Sequence, residues 1–516
     1  MTMQHYFLGI DNGGTVAKAA IFDENGSEIA IASETVPFSA PKPGFAERDM
    51  LELWQANCRI IREVLQKSRI PSTSIAGVAC TGHGKGLYLW GNNDKPAYPG
   101  IVSTDTRAWE YPLRWEKDGT AQAVHAKILQ RILACQPVSL IAWLKDHDPE
   151  VIERTQWIFE AKDYVRFMLT GEAHAEITDY SGSGLLNIRD RRFDRELLEA
   201  YGLGDVYDKL PPLVRSTDLC GTISASAARA TGLAEGTPVA GGMFDIDACA
   251  VASGVVDEQY FCVVAGTWSI NEYLSKKPVI DGSIMMNSLF CMPEYYLIEE
   301  SSPTSAGNYE WFINFFLDKE KKEAEEAGLS IFEYAERIVR QVGPEDCDLV
   351  FLPFLFGSNY NPEARACFAG FSARHTRAHM IRSVLEGIVF SHKTHIDKLL
   401  AARTPPHAVR LTGGASRSKE WVQMFADVFG LPIETVLASE PGALGCAMAA
   451  AVASGRYGDL REATEHMVKL ERRFEPDSGK ADIYLKKYRL YKDIADSLDH
   501  SWKGFSLQTP STELPS

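Results

Sequence analysis

Positive charge is in deficit in this chain. Its 53 lysines and arginines face 69 aspartates and glutamates, a formal net charge of −16. That balance argues against a nucleic-acid-binding surface. It also sets an unfavourable mean field for an anionic substrate and favours a neutral one. Paired cysteines are lacking: the ten present are scattered, with no CxxC and no His/Cys cluster at zinc spacing. They read as small core residues of a protein kept in a reducing compartment. Long hydrophobic runs are lacking as well. The most apolar later stretch, Ala443 to Ala453, is short and built largely of small residues, so it predicts a tightly packed helix and not a membrane span. No charged-then-apolar segment opens the chain. These absences predict a cytoplasmic protein with neither nucleic acid nor membrane as a partner. The GxxxxGK[ST] spacing and the full GxGxxG fingerprint are also missing, which excludes a Walker A loop and leaves an NAD site unsupported.

What is present points to small-molecule chemistry. A chain of 516 residues with 45% apolar and 24% charged residues has the balance of a soluble globular protein with two large domains or about three ordinary ones. Gly9 to Asp23 reads GIDNGGTVAKAAIFD. Two apolar runs joined by a Gly-rich turn predict a β-hairpin. Gly13 and Gly14 let the backbone approach a ligand and take positive φ; their N–H groups and the Thr15 hydroxyl suit phosphate. Asp11 is an oxygen ligand suited to a Mg²⁺ that keeps its waters. An ordinary Asn-Gly hairpin turn accounts for the same residues. Tyr260 to Leu274 repeats the pattern, with Gly266 and Thr267 at the turn. Two such hairpins near the starts of the two halves indicate an internal duplication with one phosphate loop in each half.

Between the hairpins, Asp49 opens a predicted helix with Glu52 as an approximate capping box. Leu51, Trp54, Cys58, Ile61 and Leu65 mark its buried face. Ile75 to Cys80 is a predicted strand ending in Thr81, Gly82, His83, Gly84, Lys85 and Gly86, a common setting for a ligand in an open α/β sheet. Asp105 and Arg107 share a loop and suit either sugar hydroxyls or a surface ion pair. Phe159 to Leu169 is a predicted helix stopped by Gly171, and Asp179 to Gly184 a polar turn. Val239 to Gly254 runs through Gly241 and Gly242 to Asp245, a carboxylate placed for general-base work at a strand-to-helix switch. Asp247 reads better as an N-cap. Val409 to Thr412 leads into Gly413, Gly414 and Ala415 and then a helix carrying Trp421, Met424, Phe425 and Val428, a nucleotide-ready arrangement. Gly430 and Pro432 end that helix. Leu507 to Ser516 is polar, holds two prolines and predicts a frayed end.

These pieces, in this order, resemble the FGGY family of carbohydrate kinases from Tyr6 to about Tyr491. The second family signature runs from Ala366 through Gly370, Phe371, His379, Ser383 and Leu385 to Glu386. The first keeps Pro137 and Trp143 but has Leu140 where the family usually has Lys. Within the family, Gly82 to Leu89, Gly241 to Asp245, Ser302 to Phe312 and Phe351 to Asn359 look most like L-xylulose kinases. Ser103 stands where many D-xylulose kinases carry an aromatic residue.

The resemblance implies an α/β fold of two ribonuclease H-like, actin-like ATPase domains flanking a deep cleft. The N-terminal domain would span residues 1–256 and the C-terminal domain 257–498, with 499–516 a flexible tail. It implies Asp245 as the catalytic base and a sugar contact, and Asp11 as the carboxylate acting through Mg²⁺. Gly13, Gly14 and Thr15 match the first phosphate loop, Gly266 and Thr267 the second. Gly413, Gly414 and Ala415 match the adenosine motif, with Gly307 and Asn308 close by. His83, Lys85, Asp105 and Arg107 fall at the sugar-facing loops. The activity implied is phosphorylation by ATP of a primary hydroxyl of a ketopentose in pentose catabolism, L-xylulose to L-xylulose 5-phosphate. A free aspartate titrates near ~3.9, so Asp245 is expected to be ionised at neutral pH without special tuning. Family members are often dimers. The alternatives are a kinase for D-xylulose, a ribulose, erythritol or glycerol, and a non-catalytic ATP-binding protein of the actin-like fold.

Overall fold

The computed structural model describes residues 5–266, 268–358, 361 and 363–506. Contacts divide the chain into two units. The first takes the chain through Asp257 with Leu274–Ile298 and Leu437–Lys469; the second takes Glu258–Tyr273, Glu299–Val436 and the chain from Leu470 on. Two later segments thus return to the first unit. Residues 499–506 form a 3₁₀ turn, Asp499–Ser501, and a short helix, Lys503–Ser506; the predicted frayed end from Leu507 lies outside the described residues.

The sheet of the first unit contains β1 (Tyr6–Asn12), β2 (Val16–Asp23), β3 (Glu28–Thr35), β4 (Ile75–Gly82), β5 (Leu219–Thr222) and β6 (Pro238–Ala240) in the order β5-β6-β4-β1-β2-β3, and β7 (Met243–Phe244) also pairs with β4. Strand β1 is antiparallel to β2 and parallel to β4. Its residues Phe7 to Ile10 are buried, which is why a central strand reads as an unbroken apolar run.

The sheet of the second unit runs β10 (Tyr296–Ser302), β9 (Ser269–Ser275), β8 (Tyr260–Ala265), β11 (Ala408–Thr412), β12 (Ile433–Val436) and β13 (Leu470–Phe474). It repeats the first in detail. Each central strand has an antiparallel hairpin partner on one side and a parallel strand on the other. A second parallel strand and then an antiparallel one follow in both. The duplication inferred from two hairpins therefore extends through the sheets.

Helix Pro441–Ala453 packs small residues onto β1 and β4. The approach is close: a Cβ on Gly9 would lie 1.8 Å from the Ala443 carbonyl oxygen. Helix Met50–Ser68 is capped by Asp49, whose carboxylate accepts the Leu51 and Glu52 N–H groups, worth about 1 kcal/mol. Glu52 does not complete the box and pairs with Arg59 instead. Of the expected buried face, Cys58 and Ile61 are buried and Trp54 and Leu65 partly so, joined by Met50, Leu53, Ala56, Asn57, Ile60 and Val64, whereas Leu51 is exposed. No helix among the described residues is long and apolar enough to cross a membrane.

Candidate active site

Asp245 is the first residue of helix Asp245–Ala252. The turn that delivers it depends on Gly242, at φ +76°, where a Cβ would meet the Cys80 carbonyl oxygen of β4 at 1.9 Å. Around it, Thr81 Oγ1 donates to the Met243 carbonyl (2.7 Å) and the Phe244 N–H donates to Thr178 Oγ1 (2.9 Å). Asp245 is half-buried. Burial, then Asp11 and Asp179, push its carboxyl well above the usual range, and Lys85 opposes them. The expectation of an untuned aspartate is therefore corrected: its low-dielectric, acidic surroundings penalise the anion. Asp247 is not an N-cap. It is fully buried inside the helix, and its Oδ1 accepts the Cys291 N–H at 2.9 Å.

Asp11 lies near the end of β1, opposite Lys18 and beside Thr81. Burial raises its carboxyl to about 6, Lys18 opposing and Glu440 reinforcing. A Cβ on Gly442 would sit 2.7 Å from Asp11 Oδ2, so the N-terminus of helix Pro441–Ala453 abuts the carboxylate. The turn after it is held from behind: the buried Arg48 donates to the Gly14 and Val36 carbonyls. Neither Gly13 nor Gly14 takes a positive φ, so that part of the expectation fails. What Gly14 provides is space, since a Cβ there would meet nothing within 4 Å. Thr15 is exposed. No cluster of three or more metal-ligating side chains occurs among the described residues. A single carboxylate fits a magnesium ion that brings water and phosphate oxygens of its own, not a caged metal.

The loop after β4 holds His83 and Lys85. His83 is buried, with Nε2 3.0 Å from Tyr88 Oη; burial and then Arg48 lower its pKa to about 3, so it is neutral. Lys85 takes a left-handed backbone, φ +64°. Its ammonium lies 5.8 Å from the Phe244 ring centroid and acts electrostatically on Asp245. Asp105 and Arg107 do pair, at 2.8 Å, but both side chains are fully buried, which corrects the surface-pair alternative. The Asp105 carboxylate accepts the Ala46 N–H (2.6 Å), the Arg107 N–H (2.9 Å) and the Arg107 guanidinium. Arg107 also packs 3.9 Å from the centroid of Phe45 and pairs with Glu47.

In the second unit, Gly266 follows β8 and its carbonyl accepts the Ala306 N–H (2.8 Å); Thr267 lies outside the described residues. Gly413, at φ +85°, packs against this turn: its Cβ would lie 2.6 Å from the Ala265 carbonyl oxygen and 2.9 Å from Gly266 N. Gly414 and Ala415 belong to a 3₁₀ turn, Gly414–Arg417, that stands before helix Lys419–Phe429. Strand, Gly-Gly turn and helix thus follow one another as the sequence predicts, with the turn wound into a 3₁₀ segment. Gly307 and Asn308 begin helix Gly307–Phe316. Asn308 is fully buried, and its Oδ1 has no hydrogen-bond partner among the described residues.

The first unit also holds a buried charged cluster that the sequence does not announce. Glu160, Asp163, Glu176 and Asp179 are buried with Lys162 and Arg166. Lys162 Nζ lies 2.9–3.4 Å from Asp163, Glu176 and Asp179. Asp179, expected in a polar turn, sits in helix Ile177–Ser181. The one available signal was the density of charge in Glu160 to Arg166, a stretch otherwise apolar.

Residues 6–252 match the N-terminal domain, and residues 261–454 the C-terminal domain, of the FGGY family of carbohydrate kinases. The chain is 36% identical over 503 residues to the L-xylulose/3-keto-L-gulonate kinase of Escherichia coli (strain K12), covering 96% of this chain and 98% of that one. It is 35% identical to a probable L-xylulose kinase of Pasteurella multocida (strain Pm70), over 96% and 99% of the two chains. Its structure matches a ligand-bound xylulose kinase from Lactobacillus acidophilus with a TM-score of 0.87 at 25% identity, over 97% and 100% of the chains. A doubled mixed sheet, two Gly-containing hairpin turns and a carboxylate at a strand-to-helix switch thus meet full-length sequence likeness: the chain belongs to the FGGY family of carbohydrate kinases and is an ATP-dependent sugar kinase.

Proposed function

We propose that the protein phosphorylates the primary hydroxyl at C5 of L-xylulose, with Asp245 as the base. The carrying observation is the setting of Asp245: a half-buried carboxyl at a helix start, influenced by Asp11 on one side and Lys85 on another. In this reading the sugar meets the loops of His83 and Lys85, and the neutral imidazole keeps the wall of the site uncharged. Asp105 and Arg107, saturated by protein partners, shape the site around the sugar. Gly13, Gly14 and Thr15 take phosphate oxygens through N–H and hydroxyl donors. Gly266 and Thr267 form the second phosphate loop, and Gly307, Asn308 and Gly413 to Ala415 take the nucleoside. Magnesium supplies charge neutralisation on the phosphates, and Asp11 is the residue that would hold it.

Phosphoryl transfer proceeds through a loose transition state, so the protein chiefly positions groups and balances charge. Asp245 orients the hydroxyl and accepts its proton as the bond to phosphorus forms. An anionic carboxylate is the working form, and Lys85 favours it. The likeness to kinases named for L-xylulose supports the substrate, as does Ser103 in place of an aromatic residue. One of those relatives is also named for a sugar acid; the net charge of −16 favours the neutral pentose here. The test is product analysis by ³¹P NMR after incubation with ATP, Mg²⁺ and each of both xyluloses, both ribuloses, erythritol and glycerol. A primary phosphate monoester forming fastest on L-xylulose supports the proposal; a faster reaction on another acceptor overturns the substrate and keeps the kinase.

A further inference from the structure

Glu160 closes the strand Thr155–Phe159 and precedes helix Ala161–Thr170, yet its side chain does not cap that helix. It reaches instead into the loop after β4. Its Oε2 accepts the Lys85 N–H at 3.1 Å. Lys85 is one of few non-glycine residues with positive φ, and Gly86 follows it at +83°. A left-handed backbone is unfavourable for lysine and persists only where its surroundings enforce it. Two contacts do so: Glu160 holds the Lys85 amide, and the Cys135 carbonyl holds the Gly86 amide at 2.7 Å. The loop is also wedged against the turn of Asp245, since a Cβ on Gly84 would strike the Phe244 ring at 2.2 Å.

The other face of Glu160 is unusual. A second buried acid, Asp179, acts on its carboxyl. Both are fully buried, and among the described residues no N–H or O–H satisfies Glu160 Oε1 or the Asp179 oxygens by hydrogen-bond geometry. Two carboxyl groups can bond only by sharing a proton. Burial and then Asp179 raise Glu160 far above the carboxylate range; burial raises Asp179 to about 6, with Lys162, 3.4 Å from its Oδ2, opposing. The Glu160 carboxyl is thus the one favoured neutral, with an O–H to offer Asp179 while its Oε2 accepts the Lys85 N–H.

Resting on the proposed role of Asp245, we infer that Glu160 is a positioning residue of the sugar site: paired with Asp179, it fixes the left-handed Lys85 and so places the ammonium that balances Asp245. A neutral acid at this position adds no further charge beside the base, which a carboxylate would.

The inference separates two substitutions. Glu160→Gln keeps an oxygen for the Lys85 N–H and an N–H for Asp179, and is expected to keep kcat/KM within ~3-fold of the parent. Glu160→Leu keeps the volume and loses both bonds. It is expected to lower kcat/KM for the best sugar by ~10–100-fold with the KM for ATP unchanged. In a Lys85→Gly background the same Leu substitution should have little further effect, since coupled residues are non-additive. Hydrogen exchange at the Lys85 amide supplies a readout independent of turnover: slow in the parent and in Glu160→Gln, fast in Glu160→Leu. Loss of activity in Glu160→Gln, equal shifts in the sugar and ATP constants in Glu160→Leu, or unchanged exchange in Glu160→Leu would each overturn the inference. If the parent turns over no sugar, the functional reading fails, and the exchange experiment still decides whether Glu160 holds Lys85.

Discussion

Protonation of Asp245 is favoured by burial, Asp11 and Asp179 and opposed by Lys85. The sign of the pH effect follows. The base works as the anion, and a raised pKa means that protonation begins at higher pH than for a free aspartate, near ~3.9. Turnover at saturating ATP and Mg²⁺ should therefore fall on the acid side with an apparent pKa above the ordinary carboxylate range. A pH–rate profile checks this, and the residual rate of Asp245→Asn should lack that limb. The placements of Asp245 at a strand-to-helix switch and of Asp11 near the end of β1 were legible because apolar runs and glycines mark strand ends locally. Glu160 and Asp179 were not. They stand on separate elements, at the start of one helix and inside the next, and no local pattern reports which acids will be buried together. Asp105 and Arg107 were legible as a pair, but burial, set by Phe45 and the Ala46 amide, was not.

Hairpins and helix stops were the legible elements, since turn residues and apolar runs encode them locally. Gly171 and Gly430 do end their helices in the left-handed conformation. The buried face of helix Met50–Ser68 was legible in part, because two apolar sets at helical spacing interleave along it. Packing onto β2 and β3, unseen in the sequence, buries Leu53, Ile60 and Val64 fully and leaves Trp54 partly covered and Leu51 exposed. The same scale separates two glycines. Gly9→Ala drives a methyl into the Ala443 carbonyl and should destabilise the fold by about 1–3 kcal/mol, read as a lowered midpoint in thermal unfolding. Gly14→Ala meets open space; it should leave unfolding unchanged and raise the KM for ATP, measured by initial rates.

At the scale of the molecule, the doubled sheet was legible only as two similar hairpins; parallel pairing beyond them joins segments far apart in the chain. The return of Leu274–Ile298 and Leu437–Lys469 to the first unit was not legible at all, because composition does not change where the chain crosses. Net charge was legible outright. At −16, the protein should disfavour an anionic acceptor at low ionic strength. With ATP saturating, added salt should raise kcat/KM for a keto sugar acid relative to that for neutral L-xylulose, as screening shortens to about 10 Å near 0.1 M.

The most direct test of the central claim is ADP release on the best sugar by Asp245→Asn beside the parent, with ATP affinity and thermal unfolding measured on both. The account predicts unchanged folding and ATP binding with turnover reduced ~10²–10⁴-fold. Near-parental turnover in the folded, ATP-binding variant would contradict it.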